Sequence, residues 1–230
     1  MVTAMPAALV RLIDAYRALG FARILWVAPL WLIQREFLVL IRDPRVPLPV
    51  VHLVDHLQWT SLNDAGIPYL CAINPTLSIA EIRRRRTEGC ECLLGWVDGS
   101  LAHYRWYTTA TTFLPYLGKT FSLVEGDMFT LEVYTHPTFR GHGIASVSSE
   151  IIVTQARHRG LRRCITMVAW WNTPGLRVNK RQAGWTVVGR VGYWDIGIHR
   201  RYYATGDISI AGRNVTLHTG IPIDSSRPLP

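Results

Sequence analysis

The sequence predicts an α/β (α+β) fold in which strands and helices share one domain. Two apolar runs, Cys90 to Val97 and Leu101 to Tyr107, are joined by Asp98-Gly99-Ser100, the strongest hairpin signal in the chain. The run from Asp127 to Thr135 predicts another strand and is followed by a helical pattern. Arg163 to Trp171 is apolar enough for a strand that is buried on both faces.

The N-terminal region differs in character from the rest of the chain. Leu9 to Leu19 has the period of a short amphipathic helix. Phe21 to Arg42 is apolar nearly all round, and packing under the domain is favoured over contact with a lipid surface through residues 21–42. Three prolines between Arg42 and Val50 mark a boundary. We therefore expect an N-terminal apolar helical extension over residues 1–48, a main domain over residues 49–203, and a C-terminal strand and tail over residues 204–230.

Further elements follow from capping and periodicity. Ser78 to Glu81 form a capping box, which begins a helix that ends at about Thr87. Its consecutive arginines, Arg83 to Arg86, point all round the helix and so favour a solvated face over a contact with phosphate or nucleic acid. The other predicted elements are a strand from Val50 to Trp59, helices from Gly141 to Arg159 and from Asn172 to Ala183, and strands between Trp185 and Gly197 that bend at Gly189 and Gly192.

Composition restricts the partners and the compartment. The formal charge of +9 favours an anionic partner, such as the phosphates of a cofactor, nucleic acid or an acidic lipid surface. The four cysteines contain only one C-x-C pair and are interpreted as free buried thiols in a reducing compartment. His136 and His142 lie six residues apart across a turn, which suits no common metal site. The most apolar run, Ile24 to Ile33, is too short to cross a bilayer, and no secretory signal precedes it, so a cytoplasmic location is expected, with or without membrane association.

A phosphate-binding helix start is predicted at Arg140 to Ala145, where an arginine and two glycines follow a strand. The first amides of a helix are unpaired and carry partial positive charge, so a bound anion satisfies them. Gly141 and Gly143 have no Cβ atoms to obstruct a phosphate, and Arg140 adds a positive charge. The alternative is a tight strand-to-helix turn, which needs only one glycine and no arginine.

This stretch, RGHGIA, resembles the pyrophosphate loop of the GCN5-related N-acetyltransferase (GNAT) family. The family signature is Arg or Gln, any two residues, Gly, any residue, then Gly or Ala, and Arg140, Gly143 and Ala145 match it. Leu131 to Phe139 resembles the family's fourth strand, and Trp171 to Trp185 resembles the helix that follows its next strand. The resemblance implies a mixed, mostly antiparallel central sheet flanked by helices, with an extra N-terminal helical segment that the minimal family fold lacks.

The resemblance also implies a co-substrate, which is acetyl-CoA or another acyl-CoA, and no metal. Three residues depart from the pattern: Gly175 replaces the usual Ser or Ala, Trp185 replaces Phe, and Asn179 stands where many members carry a tyrosine acid. The residues expected to bind CoA are Val133, Tyr134, Thr135, Arg140, Gly141, His142, Gly143, Ile144, Ala145, Asn172 and Asn179.

Glu132 is the favoured catalytic residue, because its place on an apolar strand would make its carboxylate a stronger base. The alternative role for Glu132 is a structural pair with one of the many arginines. Asp127, at the entrance of the same strand, is the second candidate. Tyr193 or Tyr107 could be the acid, although no motif places either of them.

The resemblance implies transfer of an acyl group, acetyl in the first instance, from CoA to a primary amine of a small molecule by direct attack. Nucleic acid is disfavoured as a partner, and an oligomer is compatible with the sequence. One alternative is an enzyme near the membrane that resembles long-chain N-acyl amino acid synthases. The other is a non-enzymatic module that binds acyl-CoA or nucleic acid.

Overall fold

The structure is a computed structural model that describes residues 34–46, 56–181, 184–196 and 199–218. The predicted helix from Leu9 to Leu19 and most of the expected N-terminal extension lie outside the described residues. The same is true of Val50 to Asp55 in the predicted first strand.

The centre of the fold is an eight-stranded sheet. Neighbouring strands are antiparallel except for one parallel pair at the middle, Asp127–Thr135 with Arg163–Ala169. The prediction of a mixed, mostly antiparallel sheet flanked by helices is confirmed. In spatial order the strands are β10 (His199–Gly206), β9 (Thr186–Ile196), β1 (Gln34–Arg42), β8 (Arg163–Ala169), β7 (Asp127–Thr135), β4 (Ser100–Thr108), β3 (Cys90–Val97) and β2 (Leu57–Ser61).

Strand β1 corrects the expected N-terminal boundary. Residues 34–42, expected as the end of a helical extension, form a strand between β8 and β9. Leu38 and Leu40 point to one face of the sheet, while Val39 and Ile41 point to the other, and all four are buried. A strand buried on both faces is apolar all round, so periodicity alone cannot distinguish it from a buried helix. Residues 38–42 are buried within the protein, which agrees with the favoured prediction of packing over lipid contact for this part of residues 21–42.

A second, smaller sheet packs on the central one. It has four strands in the order β11 (Ile208–Ala211), β12 (Asn214–Leu217), β6 (Lys119–Ser122) and β5 (Thr112–Leu114). Strands β5 and β6 lie between β4 and β7 in the chain, and β11 and β12 lie after residue 203, where a strand and tail were expected. The two segments meet, because β12 pairs in parallel with β6.

Four α-helices complete the described part of the fold. Ser78 caps the second helix by accepting a hydrogen bond from the amide of Glu81, as the sequence predicts. The first helix was not predicted. The helices are α1 (Ile67–Ile73), α2 (Ile79–Thr87), α3 (Ile144–His158) and α4 (Thr173–Arg181).

The two faces of the central sheet are covered differently. Helix α3 packs on one face, which we call the helical face, against residues such as Leu40, Leu93 and Met128. On the opposite face, α1 and α2 cover β3 and β4, where Trp106 is fully buried. The small sheet covers the other end of that opposite face, around Phe121 and Phe129. An open space between α2 and the small sheet follows from this division.

Candidate active site

The central sheet opens between its two parallel strands. β7 and β8 pair from Asp127 opposite Arg163 to Thr130 opposite Thr166, and these two described strands have no pairs beyond that point. Leu131 is an extra residue in β7, because Trp106 and Tyr107 of β4 lie opposite Glu132 and Thr130. Such a bulge bends a strand and changes the direction of its side chains. The bulge therefore lies where the two strands separate.

Two cavities meet at this bulge. The first, which we call the gap cavity, has a volume of about 150 Å³ and lies between the separated ends of β7 and β8, beside the start of α3. The second, which we call the lateral cavity, has a volume of about 300 Å³ and lies between α2 and the small sheet. Leu131 and Glu132 line both cavities. Glu132 therefore contacts both cavities.

Three side chains hold the carboxylate of Glu132. Tyr104 donates its hydroxyl hydrogen to Oε1 over 2.5 Å, and the side-chain amide of Asn74 donates to the same oxygen over 3.3 Å. Arg85 donates to Oε2 over 2.7 Å. Burial, followed by the negative charge of Glu132, raises the pKa of Tyr104, so its hydroxyl remains a donor. These contacts join β7 to α2 and to the end of α1.

The arginines of α2 have two kinds of partner. Arg84 pairs near the surface with the carboxylates of Glu81 and Glu88. Arg86 pairs there with Asp64. Arg85 instead reaches inward to Glu132. The expectation of a solvated face therefore fails at Arg85, because the sequence gives no sign that α2 lies over β7.

The phosphate-loop residues have the backbone expected of a helix start without a side-chain cap. Gly141 and Gly143 have φ angles of 88° and 77°, which disfavour other residues, and no side chain caps α3. Open space lies above both glycines. Arg140 is exposed and donates to the carbonyl of Thr135 over 3.0 Å. The loop therefore presents backbone amides and one cation to solvent.

The buried guanidinium of Arg105 contacts the first turn of α3, directly after the phosphate loop. The guanidinium of Arg105 donates to the carbonyl of Ala145 and to Oγ of Ser148, each over 3.0 Å, and it lines the gap cavity. Burial lowers the pKa of Arg105 to about 10. Within the described residues it forms no ion pair with a carboxylate. Arg105 has no sequence signal that marks it as a site residue, because it lies within an apolar strand.

Asn172 and Asn179 lie on the far wall of the gap cavity. Oδ1 of Asn172 accepts from the amide of Gly175, and a Cβ at Gly175 would come within 2.7 Å of the Asn172 amide nitrogen. The glycine at this unusual position therefore makes room for the asparagine. Asn179 donates to the carbonyl of Gly175 over 3.0 Å, so its side chain is used within α4.

The remaining catalytic candidates lie away from the junction. Asp127 is buried and accepts two hydrogen bonds from Arg163, over 2.7 and 2.8 Å, at the opposite end of β7 from Thr135. Tyr107 donates to Glu91 over 3.1 Å. These partners favour structural roles for Asp127 and Tyr107.

Tyr193, the other tyrosine considered as the acid, contacts the backbone of a residue that no sequence signal singles out. Its hydroxyl donates to the backbone carbonyl of Tyr116 over 3.2 Å. Tyr116 lines the lateral cavity, and its hydroxyl contacts the sulfur of Met167 over 3.8 Å. Met167 lines the gap cavity, so the Tyr116 hydroxyl lies between the two cavities.

The loop histidines show no metal-like arrangement. Across the described ranges, no three His, Cys, Asp or Glu side chains are grouped so that they could hold a metal ion. The ring of His136 lies 6.0 Å from that of Phe139, and His142 is exposed.

Comparison with known proteins identifies the fold. No family model and no curated protein matches the sequence. Similar solved structures include a protein described as a GNAT-family acetyltransferase from Novosphingobium aromaticivorans DSM 12444 (16% identity, TM-score 0.50). They also include GCN5-related N-acetyltransferases from Kribbella flavida (16% identity, TM-score 0.51) and Sphaerobacter thermophilus (15% identity, TM-score 0.53). The fold is that of the GCN5-related N-acetyltransferases.

The similarity covers 69%, 79% and 82% of this chain and 62%, 65% and 59% of those three structures, respectively. The chain thus spans less than two thirds of the length of each. At such low identity the N-acetyltransferase fold is what the similarity establishes, and the activity depends on the site itself. None of the helices in the described ranges has both the length and the apolar character needed to span a bilayer.

Proposed function

We propose that this protein is an acyl-CoA-dependent N-acyltransferase that transfers an acyl group, acetyl in the first instance, to a primary amine of a small molecule. The observation that carries the proposal is the position of Glu132, at the junction of a cavity between separated strands and a cavity beside α2. The thioester occupies the gap cavity, and the amine enters through the lateral cavity. The expected CoA-binding residues line the first of these cavities or follow it along β7 and the start of α3.

The thioester substrate is held by groups suited to an anion and an extended chain. The amides at Gly141 and Gly143, together with Arg140, bind the diphosphate, and Arg105 adds a second positive charge under the first turn of α3. After Thr130 the backbone of β7 is no longer paired with β8, so the polar groups on that side can pair with pantetheine, while the other side stays paired with β4. The residues present therefore fit an acyl-CoA.

The reaction needs one base and one proton donor. The bound ammonium first loses one proton through the base to solvent. The neutral amine nitrogen then attacks the thioester carbonyl carbon, the C–N bond forms, the C–S bond breaks, and a second proton leaves the nitrogen as the thiolate gains one. A carboxylate offers about four acceptor positions, and Tyr104, Asn74 and Arg85 occupy three of those on Glu132. The remaining position accepts the proton of the amine, and the hydroxyl of Tyr116, which contacts Met167 in the wall of the gap cavity, is the proton donor in this proposal.

Two measurements test this function. Native mass spectrometry of the purified protein should detect a bound CoA thioester, and its mass gives the acyl chain length. Release of free CoA thiol should then be measured with acetyl-CoA and longer acyl-CoAs against a panel of primary amines. Thiol release that requires both the thioester and an amine supports the proposal. A protein that neither binds acyl-CoA nor releases thiol with any amine contradicts it.

A further inference from the structure

The lateral cavity has one apolar wall and one charged wall. The apolar wall is a continuous segment of the small sheet and the turn after it, Phe113 to Tyr116, together with Leu131 from the bulge of β7. Phe113 remains 47% exposed although it is a large hydrophobic residue. An exposed aromatic side chain at the edge of a cavity is typical of a binding surface. This wall is suited to an apolar body.

The charged wall favours a cation over an anion. It contains three carboxylates, Glu81, Glu88 and Glu132, and two guanidinium groups, Arg84 and Arg85, so its formal charge is −1. Both arginines are already paired, Arg84 with Glu81 and Glu88, and Arg85 with Glu81 and Glu132. The hydrogen bond from Arg84, opposed by partial burial, lowers the pKa of Glu81 to about 2, so Glu81 stays ionised. A carboxylate on the substrate would meet three negative charges and no guanidinium without a carboxylate partner.

The apolar wall and the charged wall of the lateral cavity both reach Glu132, the base of the proposed reaction. Glu132 is the one residue of the charged wall that also lines the gap cavity. An ammonium group at Glu132 would place the rest of its molecule between α2 and the segment from Phe113 to Tyr116. The volume of about 300 Å³ lies at the small end of the range for small-molecule sites. The cavity therefore selects by charge at one end and by apolar contact along its length.

From this geometry we infer that the acceptor is a primary monoamine with a small, apolar, carboxylate-free body, such as an arylalkylamine or an alkylamine. The inference rests on the proposed acyl transfer and names the acceptor class for it. The ammonium binds at Glu132, and the apolar body packs against Phe113 and its neighbours. Amino acids are disfavoured because Arg84 and Arg85 are occupied, and polar amines are disfavoured because they gain little from the apolar wall.

The test compares acceptors that differ in one feature. 2-Phenylethylamine and L-phenylalanine share a ring and an amine, and the second adds a carboxylate, while ethanolamine lacks the apolar body. With acetyl-CoA held at saturation, kcat/KM for 2-phenylethylamine should exceed that for either of the others by about tenfold or more. A preference for L-phenylalanine or ethanolamine overturns the acceptor class while leaving acyl transfer intact. Absence of both acyl-CoA binding and thiol release contradicts the proposed function and, with it, this inference.

A pair of variants separates the wall from a general surface effect. Phe113→Ala should raise KM for 2-phenylethylamine about tenfold and leave KM for ethanolamine and for acetyl-CoA unchanged. Val124→Ala is the control, because Val124 is also a large exposed hydrophobic residue, at 43%, but lines neither cavity. It should behave as the wild type. Equal KM values for 2-phenylethylamine in the Phe113 variant and the wild type would overturn the placement of the apolar body.

Discussion

The hydroxyl of Tyr104 lies 2.5 Å from Oε1 of Glu132, across the neighbouring strands β4 and β7. The Tyr104 side chain is fully buried, and its ring stacks on that of Tyr134 at 5.4 Å. A residue with so little freedom fixes the direction of the carboxylate that it contacts. The pair therefore sets where the fourth acceptor position of Glu132 points.

Glu132→Gln should lower kcat by about 100-fold or more, because an amide cannot accept the proton of the amine. The dissociation constant of acetyl-CoA should change little, since the phosphate loop is untouched. Glu91→Gln alters a carboxylate that pairs with Arg159 and lines neither cavity, and it serves as the control. Stopped turnover in both variants, or full turnover in the first, would contradict the role of Glu132.

Tyr104→Phe should lower kcat by about tenfold and leave both KM values near those of the wild type, because only the direction of the Glu132 carboxylate is lost. Tyr203→Phe is a matched control, since Tyr203 donates to Glu36 over 2.8 Å at the far edge of the sheet. Steady-state kinetics of the two variants distinguish them. An equal loss in both would indicate a general effect on stability.

Tyr116→Phe should lower kcat by between about 10- and 100-fold if its hydroxyl supplies the proton to the thiolate. Burial raises the pKa of Tyr116, so the hydroxyl is protonated at neutral pH. Tyr202→Phe removes a hydroxyl from a neighbouring ring that packs on the same core, and should have no effect on kcat. An unchanged kcat in the Tyr116 variant would assign the proton to solvent.

Gly143→Ala should weaken acetyl-CoA binding by about tenfold or more, because a Cβ would project into the space above the first amides of α3. Gly160→Ala is the control at the other end of the same helix. Its φ angle is 69° and its surroundings are also open, so alanine there carries the same backbone strain of about 1 kcal/mol. Titration calorimetry should show weaker binding in the first variant alone.

Asp127→Asn should reduce the free energy of unfolding by about 3 kcal/mol, because it leaves Arg163 without its charged partner in a buried place. The turnover of the folded fraction should be unchanged. Asp195→Asn removes an equivalent pair with Arg200 at the surface, where the expected loss is below about 1 kcal/mol. Denaturant unfolding measures the loss of free energy in both variants. A loss of turnover in folded Asp127→Asn protein would indicate that Asp127 takes part in catalysis.

Stability should also depend on His103. Burial, followed by the positive charge of Arg105, lowers the pKa of His103 well below its usual value, so the folded protein keeps this ring neutral. The unfolded chain protonates it below about pH 6.5. The unfolded state then binds more protons, and the free energy of unfolding falls between about pH 6.5 and pH 5 by at most about 1.4 kcal/mol per pH unit.

His103→Gln should remove this part of the pH dependence, whereas His218→Gln, at an exposed position, should retain it. Denaturant unfolding at pH 7.5, 6.0 and 5.0 provides the comparison. The same slope in all three proteins would show that other groups cause the loss.

The parts of the fold that the sequence predicts correctly carry local signals. Asp98 and Gly99 have positive φ angles of 48° and 75° in the predicted hairpin turn. Ser78 caps α2, and Gly143 precedes α3. Each of these signals depends on residues within four positions of one another, so no knowledge of the tertiary structure is needed.

The features that the sequence does not predict depend on long-range contacts. Arg85 and Glu132 are 47 positions apart, and Tyr104 and Glu132 are 28 apart. The pairing of β4 with β7 and the bulge at Leu131 bring Tyr104 to Glu132, and the packing of α2 on the sheet brings Arg85 there. Sequence reasoning places Glu132 on the right strand, but the groups that surround it come from elements whose packing has no local signal.

Strand β1 has a practical consequence for anyone who divides this chain. The proline-rich stretch before residue 49 suggests a domain boundary. A shortened protein that starts at residue 49 would lack the strand that joins β9 to β8. The sheet would separate into a pair of strands and a group of five, each with a newly exposed edge. Because unpaired edges promote aggregation, failed expression of such a fragment would reflect a missing sheet centre and would carry no information about catalysis.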